Sequence, residues 1–245
     1  MALHRTETSF EIPRETRLVV RGTNGSIICR RGSGSKVLAA AVREDSPELP
    51  HSRFIELHVD TGSEFVVKCR YCCSRVPAAA DLELELPGHL DSLLVETLNG
   101  SIIVDGPGCP VKAMTCNGFI RCSAPCGPLD LQSRNGRIDT LGLCAVSSIS
   151  TTLGDIRAEI GSIPVSGASI SAVTGAIEVC LPPDASIFVD AATGRGRISA
   201  QNLEMNSPEA GHGSIRGAMG PGGPRLFVRT RLGDLVLTSR KPGKD

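Results

Sequence analysis

Tryptophan is absent from the 245-residue chain, tyrosine occurs once, at Tyr71, and aromatic residues make up only 3% of the total. That scarcity removes the stacking platforms on which bases, sugars and proline-rich peptides are commonly held. Net charge is missing too. Lys plus Arg and Asp plus Glu stand at 26 each, so no overall field draws nucleic acid or an anionic membrane, and no nucleic-acid partner is expected. No apolar run approaches the roughly 18 residues of a membrane-spanning helix. The opening MALHRTETSF lacks the continuous apolar stretch of a secretion signal. Direct membrane insertion is therefore not expected. The expected location is cytoplasmic for the chain as given, and surface or membrane-linked if a leader precedes it. Helical periodicity is absent as well.

What the chain does have is glycine at regular intervals. A glycine is followed two residues later by Ile or Leu at Gly25/Ile27, Gly100/Ile102, Gly118/Ile120, Gly136/Ile138, Gly154/Ile156, Gly175/Ile177, Gly196/Ile198, Gly213/Ile215 and Gly233/Leu235. From Gly100 to Gly154 the interval is 18 residues each time, and beyond that it drifts between 17 and 21. Repetition at this period marks a solenoid or array, in which each unit buries its apolar face only against its neighbours.

Asn precedes the glycine at positions 24, 99, 117 and 135. Asn-Gly is a strong turn signal because both residues tolerate positive φ. After the turn comes alternation. Ile102, Ile120, Ile138, Ile156, Ile177 and Ile198 should point inward, followed two residues on by Val104, Cys122, Thr140, Ala158, Val179 and Ala200. Pro110, Pro128 and Pro164 recur ten residues after their glycines, with Val146 in the equivalent place of the rung lacking one, and mark a second corner. Val111/Ala113, Leu129/Leu131 and Ser147/Ile149 then form a second inward pair.

The expected fold is all-β, a single-stranded parallel β-solenoid with rungs of about 18 to 21 residues, in which residues 18 apart stack about 4.8 Å from one another. An antiparallel sandwich is the alternative, since Asn-Gly suits hairpins equally. One domain is expected over residues 10–240, with tails at 1–9 and 241–245. Arg137 and Asp155 share the same outward slot on successive rungs, which predicts an exposed ion pair. Pro13 with Arg14 and Glu15 at one end, and Arg240, Lys241 and Pro242 at the other, place proline and charge beside the expected terminal strands. A monomer or small oligomer follows from that protection.

Two stretches share one layout: LELELPGHLDSLLVETLNGSIIV at 82–104 and AIEVCLPPDASIFVDAATGRGRIS at 176–199. Each has a strand, a Leu-Pro corner, a second apolar strand, a Thr near the turn and then Gly-x-Ile. Continued by the turns at Gly118, Gly136 and Gly154 and by RLFVRTRLGDLVL, the pattern resembles the bacterial putative adhesin family of β-strand-repeat proteins over about residues 10–240. The resemblance implies a β-solenoid, often found on membrane-linked or exported proteins, with no catalytic motif to carry over.

Cysteine is the most chemically loaded residue type, at 10 per chain. Cys69-x-x-Cys72-Cys73 has a spacing used for zinc, while Cys29 and Cys122 occupy inward positions and read as core thiols. Cys126 and Cys144 lie eight residues after their glycines, one rung apart, within reach of a disulfide. His212, between Gly211 and Gly213, stands in the turn slot of Asn135 and Thr174 and reads as a turn residue. His4, His51, His58 and His89 show no metal-ligand spacing. The outward slot between Gly and Ile runs Ser26, Ser101, Phe119, Arg137, Asp155, Ala176, Arg197, Ser214, Asp234, without the single repeated chemistry of a calcium- or ice-binding ladder.

These observations point to a non-enzymatic scaffold or adhesin-like interaction module without metal or cofactor, engaging a protein or cell-envelope component. The alternatives are a polymer-forming, bactofilin-like protein that stacks through exposed strand edges, and a polysaccharide-active β-helix enzyme. The latter needs carboxylate pairs that the sequence does not cluster.

Overall fold

The computed structural model describes residues 3–44, 55–61, 64–71, 80–124 and 127–240. They form strands and turns with no helix, and therefore no helix long and apolar enough to cross a membrane. In chain order the strands are β1 (Leu3–Glu11), β2 (Arg17–Arg21), β3 (Ile27–Arg31), β4 (Lys36–Glu44), β5 (Ile55–Thr61), β6 (Phe65–Tyr71), β7 (Asp81–Leu86), β8 (Ser92–Asn99), β9 (Ile102–Asp105), β10 (Val111–Asn117) and β11 (Ile120–Ser123). They continue as β12 (Pro128–Asn135), β13 (Ile138–Leu153), β14 (Ile156–Ser162), β15 (Ala168–Thr174), β16 (Ile177–Leu181), β17 (Ile187–Arg195), β18 (Ile198–Gln201), β19 (Met205–Gly211), β20 (Ser214–Met219), β21 (Arg225–Leu232) and β22 (Leu235–Ser239). Residues 3–9, read from the sequence as a tail, form most of β1.

All 22 strands belong to one sheet of mixed orientation that wraps a single apolar core. Two parallel series form its body, one on each side of the glycine corners. The first runs β6, β2, β8, β10, β12, the second half of β13, β15, β21 and β17. The second runs β7, β3, β9, β11, the first half of β13, β14, β16, β22 and β18. Between β8 and β12 the partners are 18 residues apart, as the glycine interval requires: Ala113 pairs with Val95 and Leu131.

An all-parallel arrangement does not hold at the ends. β1 pairs antiparallel with β4 and β4 with β7, β5 with β6, β20 with β17 and β19 with β20. Nor does spatial order follow sequence order. The first glycine rung, β2–β3, lies inside β6–β7, and the last, β21–β22, is inserted between β15–β16 and β17–β18. Leu235 consequently sits in mid-stack, paired with both Ile177 and Ile198. The protected terminal edge expected at Leu235–Leu237 is thus an interior strand.

The core follows the period of two. Ile27, Ile102, Ile120, Ile138, Ile156, Ile177 and Leu235 form one column, none more than 1% exposed. From the facing wall come Val20, Val95, Ala113, Leu131, Ile149, Ile170, Val228 and Ala191, all buried. Each large aliphatic side chain so buried contributes about 1.5 to 3 kcal/mol. In the rung without a corner proline, β13 runs unbroken through the corner. A bulge at Ser147 then restores phase, so that Leu129 meets Val146, and Val146 rather than Ser147 faces inward.

Three further columns explain the corner. A Cβ built on Gly100 or Gly136 would meet the carbonyl oxygen of the preceding corner glycine, Gly25 or Gly118, at 1.9 Å. The glycines are needed because successive corners stack backbone on backbone. Asn is not there for positive φ, which Asn24, Asn99, Asn117 and Asn135 do not adopt. Their amides form a ladder instead. Asn99 Nδ2 donates to Asn24 Oδ1 at 2.7 Å, Asn117 to Asn99 at 2.7 Å and Asn135 to Asn117 at 2.8 Å. Behind them the buried hydroxyls of Thr97, Thr115, Ser133, Thr151, Thr230 and Thr193 donate to the carbonyls of Gly25, Gly100, Gly118, Gly136, Gly175 and Gly233. The inward-turned glycine carbonyl thereby acquires the partner that a buried acceptor requires.

Gly213 does not belong to this set. His212 and Gly213 are the two-residue turn of the β19–β20 hairpin, with Gly211 opposite Ser214, so His212 is a turn residue but not in the corner column.

Candidate functional site

A broad concavity lies on the outer surface of the first parallel series. It is a trough of about 820 Å³ crossing β6, β2, β8, β10, β12, β13 and β15. Strands about 4.8 Å apart make it on the order of 25 Å long. Two outward columns line it. One runs Lys68, Arg21, Glu96, Met114, Gln132, Ser150, Ser171, each in register with the next. The other, two residues along each strand, runs Leu98, Cys116, Arg134, Thr152, Val173.

The chemistry changes along its length. At one end Arg21 Nε donates to Glu96 at 2.9 Å, an ion pair with both side chains substantially exposed and so worth at most about 1 kcal/mol. Among the described residues neither Lys68 nor Arg134 has an ion-pair partner. Between these cations lie Met114 and the exposed Leu98, with the exposed Val173 farther along. Ser150, Thr152 and Ser171 supply hydroxyls. Among the described lining residues Glu96 is the sole carboxylate. Beyond Ser171 the first column continues to Arg229, whose guanidinium holds Asp190 Oδ1 at 2.9 Å and the Asp190 carbonyl at 2.6 Å. Arg216 reaches the same carboxylate oxygen at 3.1 Å. Burial acts to raise the pKa of Asp190, but Arg229 and Arg216 outweigh it and leave the carboxyl below its usual value.

Among the described residues the cysteines do not converge on a site. Cys29 and Cys122 are fully buried in one inward column, separated by Val104. Burial pushes the Cys29 thiol up to about 12 and those of Cys69 and Cys144 to about 11, and raises Cys122 as well. Thiols so shifted hold their protons at neutral pH and are poor nucleophiles. Cys144 is a free thiol whose sulfur faces the Leu141 carbonyl at 3.6 Å; Cys126, its expected disulfide partner, lies outside the described residues. Of the Cys69, Cys72, Cys73 set only Cys69 is described, and it is buried in β6. Among the described residues no group of three or more His, Cys, Asp or Glu side chains is placed to hold a metal. His58 and His212 are exposed, and His89 Nε2 lies 3.0 Å from the Ile12 carbonyl. His4 and His51 fall outside the side chains described.

The expected Arg137–Asp155 pair does not form. Arg137 Nε turns along its own strand to Asp139 at 2.6 Å. Asp155 Oδ1 accepts the backbone N–H of Ala176 on the next rung at 2.7 Å. Asp234 does the same for Arg197, and Asp81 for Ser26. A short carboxylate gains more by accepting an otherwise unpaired corner N–H beside it than by reaching for a distant, solvated guanidinium.

The trough itself leaves no mark in the glycine-phased repeat. Its lining comes from outward positions before the corner, where residue type changes from rung to rung. The readable signal is the unpaired cation Arg134 and the apolar Leu98 and Val173 at positions where alternation demands polar residues.

No protein-family model matches the sequence, and no curated protein matches it. Among solved structures it is similar to a putative cell adhesion protein from Clostridium sporogenes, at 10% identity and TM-score 0.39, over 97% of this chain and 100% of that one. It is also similar to a putative adhesin from Bacteroides fragilis, at 11% identity and TM-score 0.45 over 97% of both chains. A putative lipid binding protein from Parabacteroides distasonis is similar at 10% identity and TM-score 0.39, again over 97% of both. Likeness at this level carries no argument about activity or partner.

Proposed function

We propose that the chain is a β-solenoid scaffold, an adhesin-like module without catalytic activity, that engages a protein or cell-envelope component along the trough. The stacked corners and the two parallel series support reading the body as a coil of rungs closed at its ends by antiparallel hairpins. The trough carries the functional reading. It places Met114, Leu98 and Val173 beside the unpaired cations Lys68 and Arg134 on a surface that rigid ladders hold in shape. Glycan hydrolysis is disfavoured there, because it uses two carboxylates and Glu96 is the sole one among the described lining residues, already engaged by Arg21.

The test is site-directed photocrosslinking in extracts of the source cells. A photoreactive residue replacing Gln132, inside the trough, should yield a discrete adduct that disappears when Arg134→Glu is added. The same residue replacing Glu178, on the opposite series, should yield none. Equal adducts from both positions, or an adduct from Gln132 indifferent to Arg134→Glu, would remove the trough from consideration.

A further inference from the structure

Every strand series ends in an edge, and this chain guards its edges unequally. At the N-terminal end β7 is covered by β4 and β1, and β6 by β5. At the other end β17 is covered by β20 and then β19. The outer edge of β19 is broken by Pro208, by a register shift between Asn206 and Glu209, and by positive φ at Ser207. Proline, bulges and charge are the usual means of stopping an edge from recruiting another strand. β18 has none of these within its span. Among the described residues it pairs only with β22.

The hydrogen-bond pattern shows what is left open. Along the second series each column N–H donates to the next rung: Ile120 to the Arg137 carbonyl, Ile138 to Asp155, Ile156 to Ala176, Ile177 to Asp234 and Leu235 to Arg197. Ile198 is the last member, and its N–H points where a further rung would lie. Because Arg197 turns its carbonyl to β22, the backbone groups of Ile198 and Ala200 face the open edge, and those of Ser199 and Gln201 face β22. The core is open at the same place. Ile198 is only partly buried, in a column otherwise at most 1% exposed, and Ala200 is exposed.

We propose that β18 is a self-association edge, pairing antiparallel about a twofold axis with β18 of a second copy, with Ile198 opposite Ala200 of that copy. This register places the two edge-facing residues of each strand against each other, and each Ile198–Ala200 pair exchanges two backbone hydrogen bonds. It keeps all four side chains on the inward face, since residues opposite one another in an antiparallel pair share a face. It also sets a large side chain against a small one, so the open core is filled rather than overfilled. Ser199 then meets itself on the axis. A twofold contact pairs the β18 edge of each copy with that of the other and leaves neither β18 open, so this contact closes at the dimer and does not propagate. The contact is small, well below the ~1,200 Å² of stable interfaces, and association is correspondingly weak.

Sedimentation equilibrium of the full chain from about 1 μM to about 1 mM tests this, with a dissociation constant expected in the upper part of that range. Ala200→Pro removes an edge-facing N–H and no bond to β22. It should raise the dissociation constant at least about tenfold while leaving the circular dichroism spectrum and unfolding midpoint unchanged. Ala200→Lys, which puts a charge on the inward side of the edge, should do the same and serves as the arbiter should the proline variant not fold. Glu209→Lys on the guarded β19 edge should leave association untouched. A chain monomeric throughout the range overturns the proposal, as does a dimer insensitive to both Ala200 variants. Growth into filaments would also overturn it, because an open-ended contact is not the twofold one.

Discussion

Replacing Gly118 by alanine tests the stacked corners directly. The added Cβ would lie 2.2 Å from the carbonyl oxygen of Gly100 and 2.5 Å from its carbonyl carbon, about 1 Å inside the roughly 3.5 Å at which such atoms touch. Both partners are backbone, so no side chain can swing away. Gly118 also has φ +148°, where an alanine is strained by about 1 to 3 kcal/mol. Relief requires the rungs to part, which weakens the bonds from Gly100 N–H to the Asn117 carbonyl (2.8 Å), from Ile102 N–H to the Phe119 carbonyl (2.9 Å) and from the Thr115 hydroxyl to the Gly100 carbonyl (2.9 Å). At about 0.5 to 1.5 kcal/mol each, the total expected loss is about 3 to 7 kcal/mol, comparable with the whole stability of many domains. Without tryptophan, urea unfolding is best followed by far-UV circular dichroism. Gly34→Ala is the control, since its Cβ would find nothing nearer than the Lys36 nitrogen at 3.9 Å, and it should change stability by under about 1 kcal/mol. If Gly118→Ala proves as mild as Gly34→Ala, the corners do not stack as described.

Ile138→Ala should destabilise by about 2 to 5 kcal/mol, because Ile138 is fully buried between Ile120 and Ile156; a loss below about 1 kcal/mol in the same unfolding assay would contradict that packing. Ala172 stands in the column of corner hydroxyls, between Thr151 and Thr230. Ala172→Thr should therefore gain about 0.5 to 1.5 kcal/mol by supplying a donor to the Gly154 carbonyl, read as a raised thermal midpoint, and a lowered midpoint would mean that the slot has no room. Asp190→Asn should cost about 1 to 2 kcal/mol at pH 7, a figure reduced because Arg216 and Arg229 are 54% and 41% exposed. Since folding lowers the pKa of Asp190, its contribution is present above the unfolded value near 4 and lost as pH falls through the lower folded value. The difference between wild type and Asp190→Asn should accordingly shrink in urea titrations taken from pH 7 to pH 3, and a difference independent of pH would refute the ion-pair account.

The glycine interval and the alternation after it determined that the fold is all-β, most of the inward columns and the partners over β8 to β12. These properties are local, because a period of two sets side-chain direction and a fixed interval sets register. Ile120, Ile138 and Ile156 stack as that reasoning requires. Asn-Gly was legible as a corner but not for its cause. The amide ladder from Asn24 to Asn135 depends on residues 18 to 75 apart meeting, and within these Asn-Gly pairs positive φ is found at Gly25 and Gly118 and at none of the asparagines.

Only the tertiary structure decided the order of the rungs. β21–β22 offers the same register to β15–β16 on one side and to β17–β18 on the other, so an interval count cannot tell insertion from sequential stacking. The choice falls to the antiparallel hairpin β19–β20, which covers β17 and carries the chain back. That choice makes Leu235 interior and leaves Ile198 at the open end. The trough escaped the sequence for a related reason: its lining comes from two outward positions on each of several rungs, and neither the concavity nor the freedom of Lys68 and Arg134 exists until those rungs lie side by side.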